Sequence, residues 1–211
     1  MIGAICLGLA AAAAVWAADP FVPADFKVPA GLQTKSYKLV PLGPDLVKVD
    51  FDAYMSSIEH LQKTFSNGNW PHAGITLADA MKDMDEEKDR FATRKSFAYG
   101  VLTKDGKQEL GSFYLRPSSK RGFDAEASLW VTKAQFDKGF EAVLVPDMKS
   151  WIAKRWPFQK VAWPRRDISA QAWAALPDEA RRRPIKALLG SDRFFVSARS
   201  RNSLAGGGRL Q

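Results

Sequence analysis

Apolar and polar residues alternate from Ser36 to Leu42, with Tyr37 and Leu39 on one face and Lys38 and Val40 on the other. This predicts a strand, closed by the turn formers Gly43, Pro44 and Asp45. From Leu46 to Phe65 the period lengthens, and Val49, Tyr54, Met55, Ile58, Leu61 and Phe65 recur at the spacing of one helix. Residues 66–74 are rich in turn formers and read as a loop carrying Trp70 and His72. Thr76 is placed to cap a second helix with Leu77, Ala80, Met81, Met84 and Phe91 on its apolar face. The acids and bases of its other face, among them Asp79, Asp83, Glu87 and Arg90, are mixed too freely for a metal site and read as a solvated face.

Two further alternating runs, Phe97 to Leu102 and Gln108 to Leu115, flank Lys104-Asp-Gly-Lys107, the strongest hairpin signal in the chain. Phe123 to Val131 is a third strand, paired with the second. Ala134 to Trp156 is helical in pattern, with Pro146 either kinking or splitting it. Phe158 to Trp163 reads as a buried strand, and Ser169 as the cap of a short helix running to Ala175. Before all of this, Phe21 to Pro29 reads as an extended lead-in, because its two prolines deny it helical continuity. Beyond Pro177 lie an amphipathic segment and a glycine-rich, flexible end.

An apolar content of 46% with 11% aromatic residues over 211 positions suffices for one core. The expected organisation is a leader at 1–18, one domain at 21–176 and a basic, partly disordered extension at 177–211. The first eighteen residues carry no charged side chain and end in small residues before Asp19-Pro20. That run has signal-peptide length and falls short of the roughly 20 apolar residues of a membrane-spanning helix. Val15 and Ala17, or Trp16 and Ala18, would precede the cleavage point. The missing Lys or Arg at the start keeps a retained anchor or a misassigned start open beside it. Cleavage predicts an exported protein of the periplasm or envelope, and without it the protein is expected in the cytoplasm. Export would also remove Cys6, the single cysteine, and with it any disulfide, thiol nucleophile or cysteine-based metal site.

The net charge of +8 is concentrated late: from Lys149 onward there are 14 basic residues against four acidic ones. This basic third is read first as a solvated face and tail, and second as a surface for anionic lipid headgroups. Nucleic acid is not expected. Trp151, Trp156 and Trp163 fall in segments read as core, and buried rings cannot stack on bases.

The order of elements, together with two local segments, resembles the GNAT superfamily of N-acetyltransferases. Leu32-Gln-Thr-Lys-Ser-Tyr-Lys-Leu-Val-Pro-Leu42 is similar to the opening of its ribosomal-protein and small-molecule branch. Ala125-Glu-Ala-Ser-Leu-Trp-Val131 followed by Phe136-Asp-Lys-Gly-Phe-Glu-Ala142 resembles the family's central strand and phosphate loop. The resemblance implies an α/β (α+β) fold with a mixed, mostly antiparallel sheet flanked by helices. It implies acetyl-CoA, with Leu129, Trp130 and Val131 at the pantetheine and Lys138, Gly139 and Phe140 at the pyrophosphate. A phosphate at the amino end of a helix is ordinary anion binding. It places Glu126 as general base for a primary amine, either a small amine or a peptide N-terminus; pairing with Arg116 is the structural alternative for this carboxylate.

This chain departs from the pattern at two points. Asp137 and Glu141 stand where the family has small residues, and each opposes a phosphate charge by about 1 kcal/mol at 4 Å in water. The segment Arg165 to Trp173 has neither the Asn nor the Tyr that many members carry there. Two functions follow: an acetyl-CoA-dependent N-acetyltransferase with a degenerate loop, or a non-catalytic binding domain of the cell envelope. His60 and His72, the only histidines, assemble no metal site, and no Gly-x-Ser-x-Gly elbow supports a hydrolase.

Overall fold

The alternating segments pair in chain order into one six-stranded sheet: β1 (Leu32–Gln33), β2 (Tyr37–Pro41), β3 (Phe97–Thr103), β4 (Glu109–Pro117), β5 (Ala125–Val131) and β6 (Val161–Ala162). Every neighbouring pair is antiparallel except β5 and β6, which run parallel. The helices are α1 (Val47–Met55), α2 (Ile58–Phe65), α3 (Leu77–Ala92), α4 (Lys133–Asp137), α5 (Glu141–Arg155) and α6 (Ala170–Ala175), with a 3-10 turn at Pro44–Leu46. The structure is a computed structural model that describes residues 21–65 and 68–179. The expected leader, and all of the expected extension beyond residue 179, lie outside the described residues.

Strand alternation sends side chains to two cores, one on each face of the sheet. On one face Tyr99, Phe113, Leu115 and Leu129 pack with Leu144, Met148, Trp151 and Ile152 of α5. On the other, Ala98 and Trp130 pack with Tyr54 of α1, Leu61 of α2 and Ala80 and Met84 of α3. The lead-in belongs to the first core: Val22 is fully buried and the Phe21 ring stacks on Phe97 and Phe158.

Three expected elements differ in detail. The helix expected over Leu46 to Phe65 is broken at Ser56 and Ser57, whose hydroxyls compete with the helical pattern. Ser56 Oγ donates to the Ala53 carbonyl (2.6 Å), and Ser57 Oγ accepts from the Lys133 amide (2.9 Å). The helix expected over Ala134 to Trp156 is interrupted at Gly139 and not at Pro146. Gly139 has φ +71°, a left-handed conformation that ends α4, whereas the exposed Pro146 is accommodated inside a continuous α5. The strand expected over Phe158 to Trp163 shrinks to two residues. Its first part is held instead as a loop by Asp124, whose Oδ2 accepts from the amides of Gln159 (2.7 Å) and Lys160 (2.8 Å).

Candidate functional site

Ser112, Tyr114 and Arg116 of β4 and Glu126, Ser128 and Trp130 of β5 face α1 and α3, because the register sets Arg116 against Glu126, Tyr114 against Ser128 and Ser112 against Trp130. Over this face lies a cavity of about 340 Å³, walled by Tyr54, Trp70, Met84, Tyr114 and Trp130 and opening on Asp50. The rings brace one another: Trp70 lies 5.2 Å from Tyr54, 5.5 Å from Phe65 and 6.2 Å from Trp130 between ring centres. The Trp130 indole N–H donates to the Tyr114 hydroxyl (3.4 Å). Asp83, Glu87 and Arg90 of α3 complete one side, and Arg116 lies over the Tyr114 ring at 4.7 Å. The charged side of α3 is therefore not wholly solvated, as its composition suggested. Asp83 and Glu87 turn toward the cavity, and Arg90 is engaged by Glu86 (3.1 Å) and Glu87 (2.9 Å).

Asp50 and Glu109 form the most unusual feature of this face. They are 6% and 5% exposed, and their carboxyls lie close enough to act on each other. Glu109 Oε1 accepts from the Ser112 hydroxyl (2.6 Å), while Oε2 has no donor among the described residues. A proton carried by the pair would supply the missing donor. Burial pushes both carboxyls above the ordinary carboxylate range; the neighbouring Asp50 raises Glu109 further, while the contact with Glu109 draws Asp50 part of the way back. Asp83 and Glu87 add to the rise at Asp50.

The second feature is the edge of β5. Its pairing with β6 covers only Ala125 with Val161 and Glu126 with Ala162, where β6 ends and leaves the rest of that edge of β5 without a strand partner among the described residues. The Leu129 carbonyl, on the edge so exposed, accepts from Arg166 Nη2 (3.2 Å). The same nitrogen donates to Glu141 Oε1 (2.8 Å), at the first residue of α5. No side chain caps α5 at its amino end, and nothing lies within 4 Å of the place a Cβ would take at Gly139. The two acids flagged in this loop are thus both partnered: Glu141 by Arg166, and Asp137 by Lys133 at 2.6 Å.

Of the residues singled out by sequence, Leu129 and Val131 are buried on the α5 face and Trp130 is buried on the opposite face, where its ring floors the cavity. Lys138 and Gly139 are exposed, and Phe140 packs edge-on against Tyr37 at 5.5 Å. Glu126 is half-buried, on the cavity face but outside the cavity lining. Burial raises its carboxyl, while Arg116 and the Ser119 hydroxyl lower it. His72 holds the amide of Gly74 (3.1 Å), and His60 packs against Phe136. Among the described residues no group of acids, histidines or cysteines could hold a metal. Sequence reasoning missed Asp50, Glu109 and Arg166. Asp50 carried one signal, its place three residues after Val47 and four before Tyr54, in line with apolar positions of the helix.

No protein-family model matches the sequence, and a search of curated proteins found no match. Solved structures do match. A putative ribosomal-protein-serine acetyltransferase from Vibrio cholerae superposes with a TM-score of 0.52 at 12% identity, covering 68% of this chain and 79% of that one. A ribosomal-protein-S5-alanine acetyltransferase from Vibrio fischeri gives 0.49 at 13% identity, with 70% and 82% covered. A putative GnaT-family acetyltransferase from Bordetella pertussis gives 0.47 at 16% identity, with 63% and 77% covered. The fold is that of the GNAT acetyltransferases.

Proposed function

We propose that the domain transfers an acetyl group from acetyl-CoA to a primary amine, with the amine held in the cavity between the sheet and α1 and α3. The observation that carries this reading is the shared use of Ser128 to Trp130. Ser128 and Trp130 line the cavity, while the Leu129 carbonyl between them lies on the edge that β6 has left. Along that edge Leu129 and Val131 would hold a pantetheine arm, and the uncapped end of α5 with Lys138, Gly139 and Phe140 would hold the pyrophosphate. Gly139 has the open space that a phosphate needs. Bound acetyl-CoA supplies the activated acyl group.

The chain's own contribution is positioning and proton transfer. Aromatic walls exclude water from the amine, and Glu126, on the same face, has the raised carboxyl of a proton acceptor. The test is thiol release when acetyl-CoA is mixed with a panel of primary amines and peptide N-termini. Amine-dependent release is expected, and none above the blank at millimolar concentrations would overturn the reading. Glu126→Gln is expected to slow release by roughly a hundredfold; an unchanged rate would assign Glu126 to Arg116 alone.

One observation favours a second reading, a binding domain without catalysis. Arg166 already occupies the Leu129 carbonyl and neutralises Glu141, so internal groups fill part of the donor cleft. Under this reading the cavity binds its ligand and no thiol is released.

A further inference from the structure

Asp50 and Glu109 place two carboxyls in the interior beside the cavity, with no basic residue bonded to either among the described residues. The groups that face the pair are accounted for on each element. From α3 come Asp83 and Glu87, of like sign, and Arg90, already bridged to Glu86 and Glu87. From β4 come the Ser112 hydroxyl, bonded to Glu109, and the neutral Tyr114; α1 adds the neutral Tyr54. From β3 comes Gly100, whose missing Cβ leaves the room taken by Glu109 Oε2. Arg116 lies over the Tyr114 ring and beside Glu126. The cavity's two arginines, Arg90 and Arg116, are thus engaged elsewhere, and what the buried Asp50–Glu109 pair lacks is a cation of its own.

We propose that the ligand of this cavity is an organic ammonium ion with a flat apolar body: its nitrogen lies against Asp50 in place of the pair's proton, and its body lies among Tyr54, Trp70 and Trp130. As the identity of the acceptor, this rests on the transfer reading; as a binding property it does not. Aromatic faces attract a cation through their quadrupole, and desolvation strengthens that attraction. Binding is an exchange. The ammonium ion enters with its charge, the pair releases one proton to solvent, and the charge of the site is unchanged. An uncharged body of the same shape gains only the apolar contact.

The probe is 2-phenylethylammonium chloride, with 2-phenylethanol as the uncharged control, titrated calorimetrically into the full chain in two buffers of different protonation enthalpy. The ammonium ion is expected to bind roughly tenfold or more tightly than the alcohol. Its heat is expected to differ between buffers by one released proton at the acid end of the pair's titration, and its affinity to rise with pH. Asp50→Asn is expected to lose this preference and the proton release together. Glu109→Gln keeps a donor to Asp50 but leaves one titrating carboxyl in place of two, so it is expected to keep the preference with a pH dependence unlike that of the wild type. If Asp50→Asn does not fold, the alcohol comparison and Glu109→Gln decide. Equal binding of alcohol and ammonium ion, or a wild-type pH dependence in Glu109→Gln, would overturn the proposal. Ammonium binding without acetyl-CoA-dependent thiol release would instead overturn the transfer reading and leave this one standing.

Discussion

Gly100 shows how one missing atom shapes the site. A Cβ there would lie 3.2 Å from Glu109 Oε2 and 3.3 Å from Leu42 Cδ2, so Gly100→Ala must move one of two buried side chains. Overpacking of this kind costs about 1–3 kcal/mol, which urea unfolding is expected to report. The pair that Gly100 accommodates also makes stability depend on pH. Both carboxyls titrate above their ordinary value, so the folded chain keeps protons that the unfolded chain gives up. That contribution is complete below the ordinary carboxylate value of about 4 and is lost as pH rises toward the raised ones. Stability is therefore expected to fall from weakly acidic to alkaline pH, and Glu109→Gln to flatten the fall. A wild-type profile that rises over the same interval would contradict a protonated pair. Little of this was legible beforehand, because an aspartate in a helix and a glutamate at a strand start, 59 positions apart, signal nothing about each other.

The element that brings Glu109 to this face is a bulge. Val101 pairs with Gly111 and Leu102 with Glu109, so Leu110 is the extra residue between them. A regular strand would send Glu109 and Ser112, an odd number of residues apart, to opposite faces; the bulge returns Glu109 to the face of Ser112 and the cavity. Alternation located the hairpin but had no means of locating the bulge. Helix α3 was more legible, since its signals are local. Thr76 accepts from the Asp79 amide (3.2 Å), and Asp79 accepts in return from the Thr76 amide (2.9 Å). Thr76→Ala is expected to lower stability by about 1 kcal/mol, and an unchanged unfolding midpoint would show that packing alone holds this end. The break at Gly139 depends on a backbone angle, and the shortness of β6 on a loop carboxylate from elsewhere in the chain. Both were beyond the reach of periodicity.

At the scale of the molecule, the order of elements and the motif Ala125 to Ala142 led to the correct fold, because both are properties of the chain read in sequence. The donor cleft was half legible. Asp137 and Glu141 stood out as unwelcome charges, but their partners Lys133 and Arg166 appear only once the chain is folded. Export would bear on where acetyl-CoA is met. We propose a leader over residues 1–18, so that protein from its native source begins near Ala18 or Asp19; an intact Met1 in a soluble cytosolic fraction would contradict it. Glu141 is the residue on which the donor side turns, because its carboxylate stands beside the uncapped end of α5. The most direct measurement is calorimetric titration of the full chain and of Glu141→Gln with acetyl-CoA. The account predicts saturable binding to the wild type and binding several times tighter to the variant, whereas no saturable heat from either at millimolar ligand would contradict it.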